Sequence, residues 1–350
     1  MSKGKGWGIA ALVVGILLIG SGLLVKFVVF PSQAKFPDDV DSARQYDGDL
    51  AVIMNAAALE TGDFANLFLR DVPVTIDRQI KTAEVGGDDG AIVTDEVVMS
   101  GPQGPLAASL DVYAIDRTTM DAIANFSDDD RVIDRVGLVV GWPIGSEPVD
   151  YTGWNGDTHE TVVLAYQGEE ERGGLDTYKY HAVSDHQLIV DEATLAGFPA
   201  ALPKELLVQI APMLGLPDEA VAQLGALLPN LPEEVPLAYT YAFDKTYWVE
   251  PSTGVLIDIE VQESRATALA IPGQEPMAIA EVQNLTYTAT DGSVQDAVDD
   301  ANSGIATINL FDLYLPWGLV IIGVILAIIG IVLLVRKPKE QATPEPTATA

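Results

Sequence analysis

Cysteine is absent from all 350 residues, which excludes disulfide bracing, a thiol nucleophile, thiolate metal sites and iron–sulfur clusters. Histidine is nearly absent too, and His159, His181 and His186 do not form the His-Glu-x-x-His pair of a zinc hydrolase. Gly-x-Ser-x-Gly, Walker and Rossmann glycine patterns are all missing, so esterase, nucleotide hydrolase and dinucleotide oxidoreductase readings have no support. We therefore expect no cofactor, no metal and no enzyme activity. Positive charge is the other scarcity, with 19 basic residues against 51 acidic ones. Between residues 31 and 314 the balance is 13 to 49, a field that repels phosphate backbones and argues against nucleic acid as a partner. The acidic clusters Asp38-Asp39, Asp88-Asp89, Asp128-Asp129-Asp130 and Asp299-Asp300 lack the spaced ligands and central glycine of a calcium loop, and they read as solvated turns and caps.

What the chain has instead is two long apolar runs. Trp7 to Phe30 is interrupted only by Ser21 and Lys26, and at 1.5 Å per residue it reaches about 36 Å, enough to cross a bilayer with some tilt. Lys26 lies near its outer end, within snorkelling reach of the interface. Leu315 to Val335 carries no charge. Trp7 and Trp317 place an interface aromatic at one end of each run. Lys3 and Lys5 precede the first run and Arg336, Lys337 and Lys339 follow the second, so the positive-inside rule puts both termini in the cytoplasm. The competing reading of the first run is a signal peptide cleaved near Ser32-Gln33-Ala34, but the run exceeds the usual 7 to 15 apolar residues. The expected organisation is a cytoplasmic N-terminus (1–6), a transmembrane helix (7–30), an extracytoplasmic domain (31–314), a second transmembrane helix (315–335) and a disordered cytoplasmic tail (336–350). Membrane lipids are thus the first expected partner.

The domain between the runs reads as β-rich. Stretches at 72–85, 91–99, 107–115, 161–166, 177–183, 238–249, 255–262 and 278–288 are separated by clusters of Gly, Asp and Pro. Short turns between neighbours, such as Pro251-Ser252-Thr253-Gly254, imply hairpins and meanders. The fold class expected is α+β, dominated by an antiparallel sheet, with a short helical insertion at 203–232. In that insertion Leu206, Leu207, Ile210, Met213 and Leu214 fall at helical spacing, and Val221, Leu224, Leu227 and Leu228 repeat it after Pro217. This apolar stripe either packs on the sheet or forms a lid over an apolar ligand. A further helix at 293–314, weakened by Gly304, returns the chain to the membrane.

Four short motifs carry a resemblance: Tyr113-Ala114-Ile115-Asp116-Arg117-Thr118-Thr119-Met120, Trp142-Pro143-Ile144-Gly145 followed by Tyr151, Gly174-Leu175-Asp176-Thr177-Tyr178, and Trp248-Val249-Glu250-Pro251-Ser252-Thr253-Gly254-Val255. With both apolar runs they resemble the bacterial PorA family, a largely actinobacterial group of porin-like exported proteins. The resemblance implies a pore, whereas outer-membrane porins span with alternating strands and this chain spans with apolar helices, so a pore here requires a homo-oligomer. Gly8, Gly15, Gly20, Gly22, Gly318, Gly323 and Gly330 favour pairing of the two helices instead. The leading expectation is a non-enzymatic membrane-anchored envelope protein that binds an apolar ligand or lipid. The alternatives are an oligomeric porin component and a structural partner of other envelope proteins.

Overall fold

The computed structural model describes residues 3–87, 89–126, 131–210, 222, 225–226, 228–269 and 277–336. They fall into two compact units, Met1–Ala34 with Gly304–Ala350, and Lys35–Ser303.

In the terminal unit, α1 (Lys3–Leu24) continues through a π-helical segment (Val25–Val29) into α2 (Phe30–Gln33). On the C-terminal side a π-helical segment (Asn309–Tyr314) leads into the long helix Leu315–Val335. The first helix therefore starts earlier and ends later than the apolar run alone indicates. Backbone hydrogen bonding extends it into flanking residues that hydropathy does not count.

The body is one antiparallel sheet curved into a half-barrel. Its strands are β1 (Asp41–Met54), β2 (Phe68–Val85), β3 (Gly90–Gly101), β4 (Gly104–Asp116), β5 (Tyr151–Asn155), β6 (Glu160–Arg172), β7 (Leu175–Leu188), β8 (Ala201–Pro203), β9 (Glu234–Glu250), β10 (Val255–Leu269) and β11 (Met277–Ala289). The strand order is β4-β3-β2-β1-β11-β10-β9-β7-β6-β5, with β8 beside β9. Three meanders are thus joined by the β1–β11 and β7–β9 pairings. Positive-φ glycines make the tight reversals, as at Gly173 and Gly174 between β6 and β7. The stretch after β4 straps the two sheet edges at one end through the bridges Ile115–Ala122, Asp121–Leu138 and Leu138–Gly153.

Three strands escape the hydropathy reading. β1 is one, because its alternation is diluted by Asp41, Arg44, Asp47 and Asp49 while only Tyr46, Leu50 and Val52 are buried. Its Gly48 is required by close approach, since a Cβ there would lie 2.5 Å from the Thr286 carbonyl oxygen. β5 and β8 are the others, being only five and three residues long.

The core follows the inward parity of the strands. One cluster joins Tyr46, Leu50, Ile76, Met99, Val261 and Leu285, and another surrounds Trp142, Tyr180, Tyr239, Phe243 and Val249. Helix α3 (Ala56–Thr61) follows β1, and α4 (Glu192–Leu195) and β8 lead into the expected insertion, of which α5 (Lys204–Ile210) is the first helix. Leu228 opens a 3-10 turn, Leu228–Asn230. Met213, Leu214, Val221, Leu224 and Leu227 lie outside the described residues, as do Asp88, Asp128–Asp130 and the tail from 337 onward. The helix expected at 293–314 is α6 (Asp291–Ile308), which runs through Gly304 without a break and packs Ala297, Val298 and Ala301 on Ile257. One internal glycine costs only about 1 kcal/mol, less than that packing supplies. The long C-terminal helix Leu315–Val335 is α7.

Candidate functional site

Two arrangements stand out, one in each unit. In the terminal unit α1 and α7 run antiparallel, with Gly8, Gly15 and Gly22 set at seven-residue intervals against the backbone at Gly330, Gly323 and Pro316. A Cβ on Gly8 would stand 3.0 Å from the Gly330 carbonyl oxygen, one on Gly15 2.5 Å from that of Gly323, and one on Gly22 2.5 Å from that of Pro316. Such contacts are possible only between bare backbones, the way small residues bring helices together in a lipid environment. Gly20 and Gly318, by contrast, face open space. The same antiparallel register continues to Lys26, whose Nζ donates to the Asp312 carboxylate at 2.9 Å and to the Asp312 carbonyl at 3.1 Å. Lys26 is therefore paired, where hydropathy alone led us to expect it to snorkel. Both partners sit in the π-helical segments, a geometry that widens the turn. The outward faces carry Ile9, Val13, Leu17, Ile321, Ile325 and Ile328, all exposed.

In the body, inward positions that ought to be apolar hold a belt of charge. Lys245 on β9 lies between the core residues Phe243 and Val249, and its Nζ is 3.7 Å from Glu263 on β10. Glu263 also meets Arg265 at 3.5 Å and accepts from the Tyr241 hydroxyl at 2.7 Å. Arg265 donates to Asp157 at 2.6 Å, and the other Asp157 oxygen accepts from the Thr194 hydroxyl at 2.9 Å. Nearby, Arg78 forks onto Asp95 and Arg135 pairs with Asp111 at 2.9 Å. Burial lowers the Lys245 pKa even with Glu263 beside it. Burial alone would raise the Glu263 carboxyl, but Arg265 and Lys245 outweigh it and hold the pKa below the usual range. Asp111 goes the other way, raised by burial in spite of Arg135. Four cations and four carboxylates thus neutralise one another inside the half-barrel, an arrangement suited to holding its two halves in one geometry.

The residues singled out in the sequence are dispersed. Leu207 and Ile210 of α5 are buried with Leu67, Leu202, Val235 and Leu269, and Leu206 packs on the rim of that cluster. The apolar space beneath, bounded by Met54, Phe68, Tyr239 and Val282 among others, amounts to about 30 Å³. That is the volume of about one water molecule in the liquid, far below that of an acyl chain. The histidines have separate partners, His159 with Asp191, His181 with Asp244 and His186 with Thr240 and Ser264. Among the described residues no group of three or more His, Asp or Glu is placed to hold a metal ion.

The quoted motifs turn out to be joints of the body. Glu250 is buried and accepts from the backbone of Ser252 and Thr253 and from the Thr253 hydroxyl, closing the β9–β10 turn. That turn receives the Trp142 motif through Gly145 N–H to Ser252 O and Ser146 N–H to Pro251 O. Trp142 stacks on Tyr180, and Trp248 lies beneath the Arg172 guanidinium at 4.1 Å. From the first motif, Arg117 Nε donates to the Phe36 carbonyl at 2.7 Å, and Asp116 caps Thr118 and Thr119.

Beside one large sheet-built body, the described residues hold two helical runs long and apolar enough to cross a membrane, Lys5–Gln33 and Asp291–Val335, which together with the family match below point to a membrane location. The chain belongs to the PorA family: the family model described as Porin PorA matches residues 7–332. A Porin PorA of Corynebacterium resistens is 23% identical over a 241-residue alignment, and the match covers 59% of this chain and 58% of that protein. The match thus spans less than two thirds of the relative's length. A conserved hypothetical protein of Mycobacterium tuberculosis with a double hotdog fold is 11% identical over 79% of this chain and 80% of its own, at a TM-score of 0.12, and no fold argument rests on it.

Proposed function

We propose that the chain is a non-enzymatic envelope protein anchored by α1 and α7, with both termini cytoplasmic and the body outside, where it engages an apolar ligand or another envelope protein. The observation that carries this reading is the glycine-to-glycine packing of α1 on α7. It sets Gly8, Gly15, Gly22, Gly323 and Gly330 against the opposite helix and leaves a mostly aliphatic surface outward, with Trp7 and Trp317 among the exposed side chains, a surface suited to lipid tails. Because the chain has no cysteine, single-cysteine variants report topology cleanly. In intact cells a membrane-impermeant maleimide is expected to label Asp185→Cys, on an exposed stretch of β7, and to reach Lys5→Cys only after permeabilisation. The reverse pattern would overturn the orientation.

A second reading, an oligomeric channel component, is favoured by the family's description. Two helices packed on each other cannot enclose water, so several chains must contribute, and the acidic body would enrich cations at the mouth. Planar-bilayer recordings of the purified full-length protein are then expected to show cation-selective steps. Silence across a wide voltage range removes the channel reading and leaves the anchor.

A further inference from the structure

An open sheet offers backbone groups to any passing strand unless its edges are defended. In this body most free edges are. Beyond its pairing with β5, the outer edge of β6 carries Glu169, Glu170, Glu171 and Arg172. Beyond its pairing with β3, β2 carries Arg70, Asp71 and Pro73. β5 is met by the Leu138 bridge, and the C-terminal half of β4 is covered by the strap.

Among the described residues, the N-terminal half of β4 has no such defence. From Val97 to Leu110, across the β3–β4 hairpin, the chain holds no charged residue, in a protein of net charge −32. Residues 105–110 are exposed at every position, including Leu106 and Leu110. Their backbone orientation follows from the covered half. Asp116 N–H donates to Asp121 O, Ala114 O accepts from Ile123 N–H, and Val112 O accepts from Arg135, all directed away from β3. The two-residue period of a strand then directs the N–H and C=O groups of Ala108 and Leu110 off the same edge.

We propose that this edge is where a second copy of the chain docks, β4 against β4 in antiparallel register about a two-fold axis at Ala108. The sequence Leu106-Ala107-Ala108-Ser109-Leu110 reads nearly the same in both directions, as an isologous contact requires. Each Leu110 comes beside the partner copy's Leu106 and each Ser109 beside the partner copy's Ala107; the ladder with β3 shifts register at Leu106, between the Met99–Ala107 and Ser100–Pro105 pairs, so the regular new pairing centres on Ala108 with about two backbone hydrogen bonds. Charge selects the same surface. Two bodies this acidic repel one another, and this hairpin brings two copies together without setting a carboxylate against a carboxylate. The contact joins two half-barrels into one continuous sheet, and it stands whether or not the assembly conducts ions.

The test uses the full-length protein in native membranes or mild detergent, with Ala108→Cys as its sole cysteine and a short bis-maleimide as the probe. The expected result is a covalent homodimer. Adding Leu110→Lys, an exposed substitution that leaves the fold intact by circular dichroism, is expected to reduce that product at least tenfold. Glu171→Cys on the defended β6 edge is expected to stay monomeric. The proposal is overturned if Ala108→Cys remains monomeric or links to a different protein. It is equally overturned if Glu171→Cys dimerises as well, or if Leu110→Lys changes nothing.

Discussion

Glutamine in place of Glu263 is expected to destabilise the body by about 3–5 kcal/mol at neutral pH, because it leaves Lys245 and Arg265 facing each other without their shared carboxylate. The lower end of that range applies, since a glutamine oxygen still accepts from the Tyr241 hydroxyl. The pH dependence has a definite sign. The folded-state pKa of Glu263 lies below its unfolded value, because Arg265 and Lys245 more than offset burial. Its contribution is therefore complete above the unfolded value, about 4.3, and is lost as pH falls through the folded one. Denaturant unfolding of the full-length protein in detergent, followed by tryptophan fluorescence, should show a wide gap between wild type and Glu263→Gln at pH 7. That gap should narrow progressively below about pH 4. A difference under about 1 kcal/mol at pH 7, or one that does not change with pH, would remove the belt as a stabilising element.

The belt was not legible in the sequence, and the reason is distance along the chain. Asp157 meets Arg265 across 108 residues of chain, Arg78 meets Asp95 diagonally across the β2–β3 hairpin, and a charged residue read singly counts as part of a solvated face. Parity held a usable signal. Lys245 shares its strand face with Phe243, Tyr247 and Val249, so once β9 is recognised its inward direction follows. The apolar helices were legible because length and lack of charge suffice, and their pairing was foreshadowed by the glycines. The seven-residue spacing of Gly8, Gly15 and Gly22 opposite Pro316, Gly323 and Gly330 adds the register. β1 was hidden because a strand through the middle of a half-barrel is apolar on one face only, and here that face is interrupted by Gly48. The motifs of the resemblance read as turns and aromatic anchors, and so they are, although only the fold brings the Trp142 and Pro251 segments into one joint.

Alanine in place of Leu207 is expected to cost about 2–5 kcal/mol, the range for truncating a large side chain in a packed core. Leu207 is 1% exposed and Ile210 4%, both against Leu67, Leu202, Val235 and Leu269, whereas Leu206 is only partly buried at the rim and its truncation should cost less than about 1 kcal/mol. The pair of variants separates the two roles open to α5. If the helix is core, Leu207→Ala destabilises strongly and enlarges the present space of about 30 Å³ into a dry apolar cavity. Such a cavity takes up small apolar guests, so an added aromatic hydrocarbon should partly restore the melting temperature of the variant and leave wild type unchanged. If the helix is a lid that opens to an apolar ligand, the contacts of Leu207 are made only part of the time. Its truncation then costs little stability, and the loss appears as weaker retention of a fluorescent acyl probe by the full-length protein. Tight burial on both sides of Leu207 favours the first outcome, in which ligand recognition by the body lies elsewhere than beneath α5.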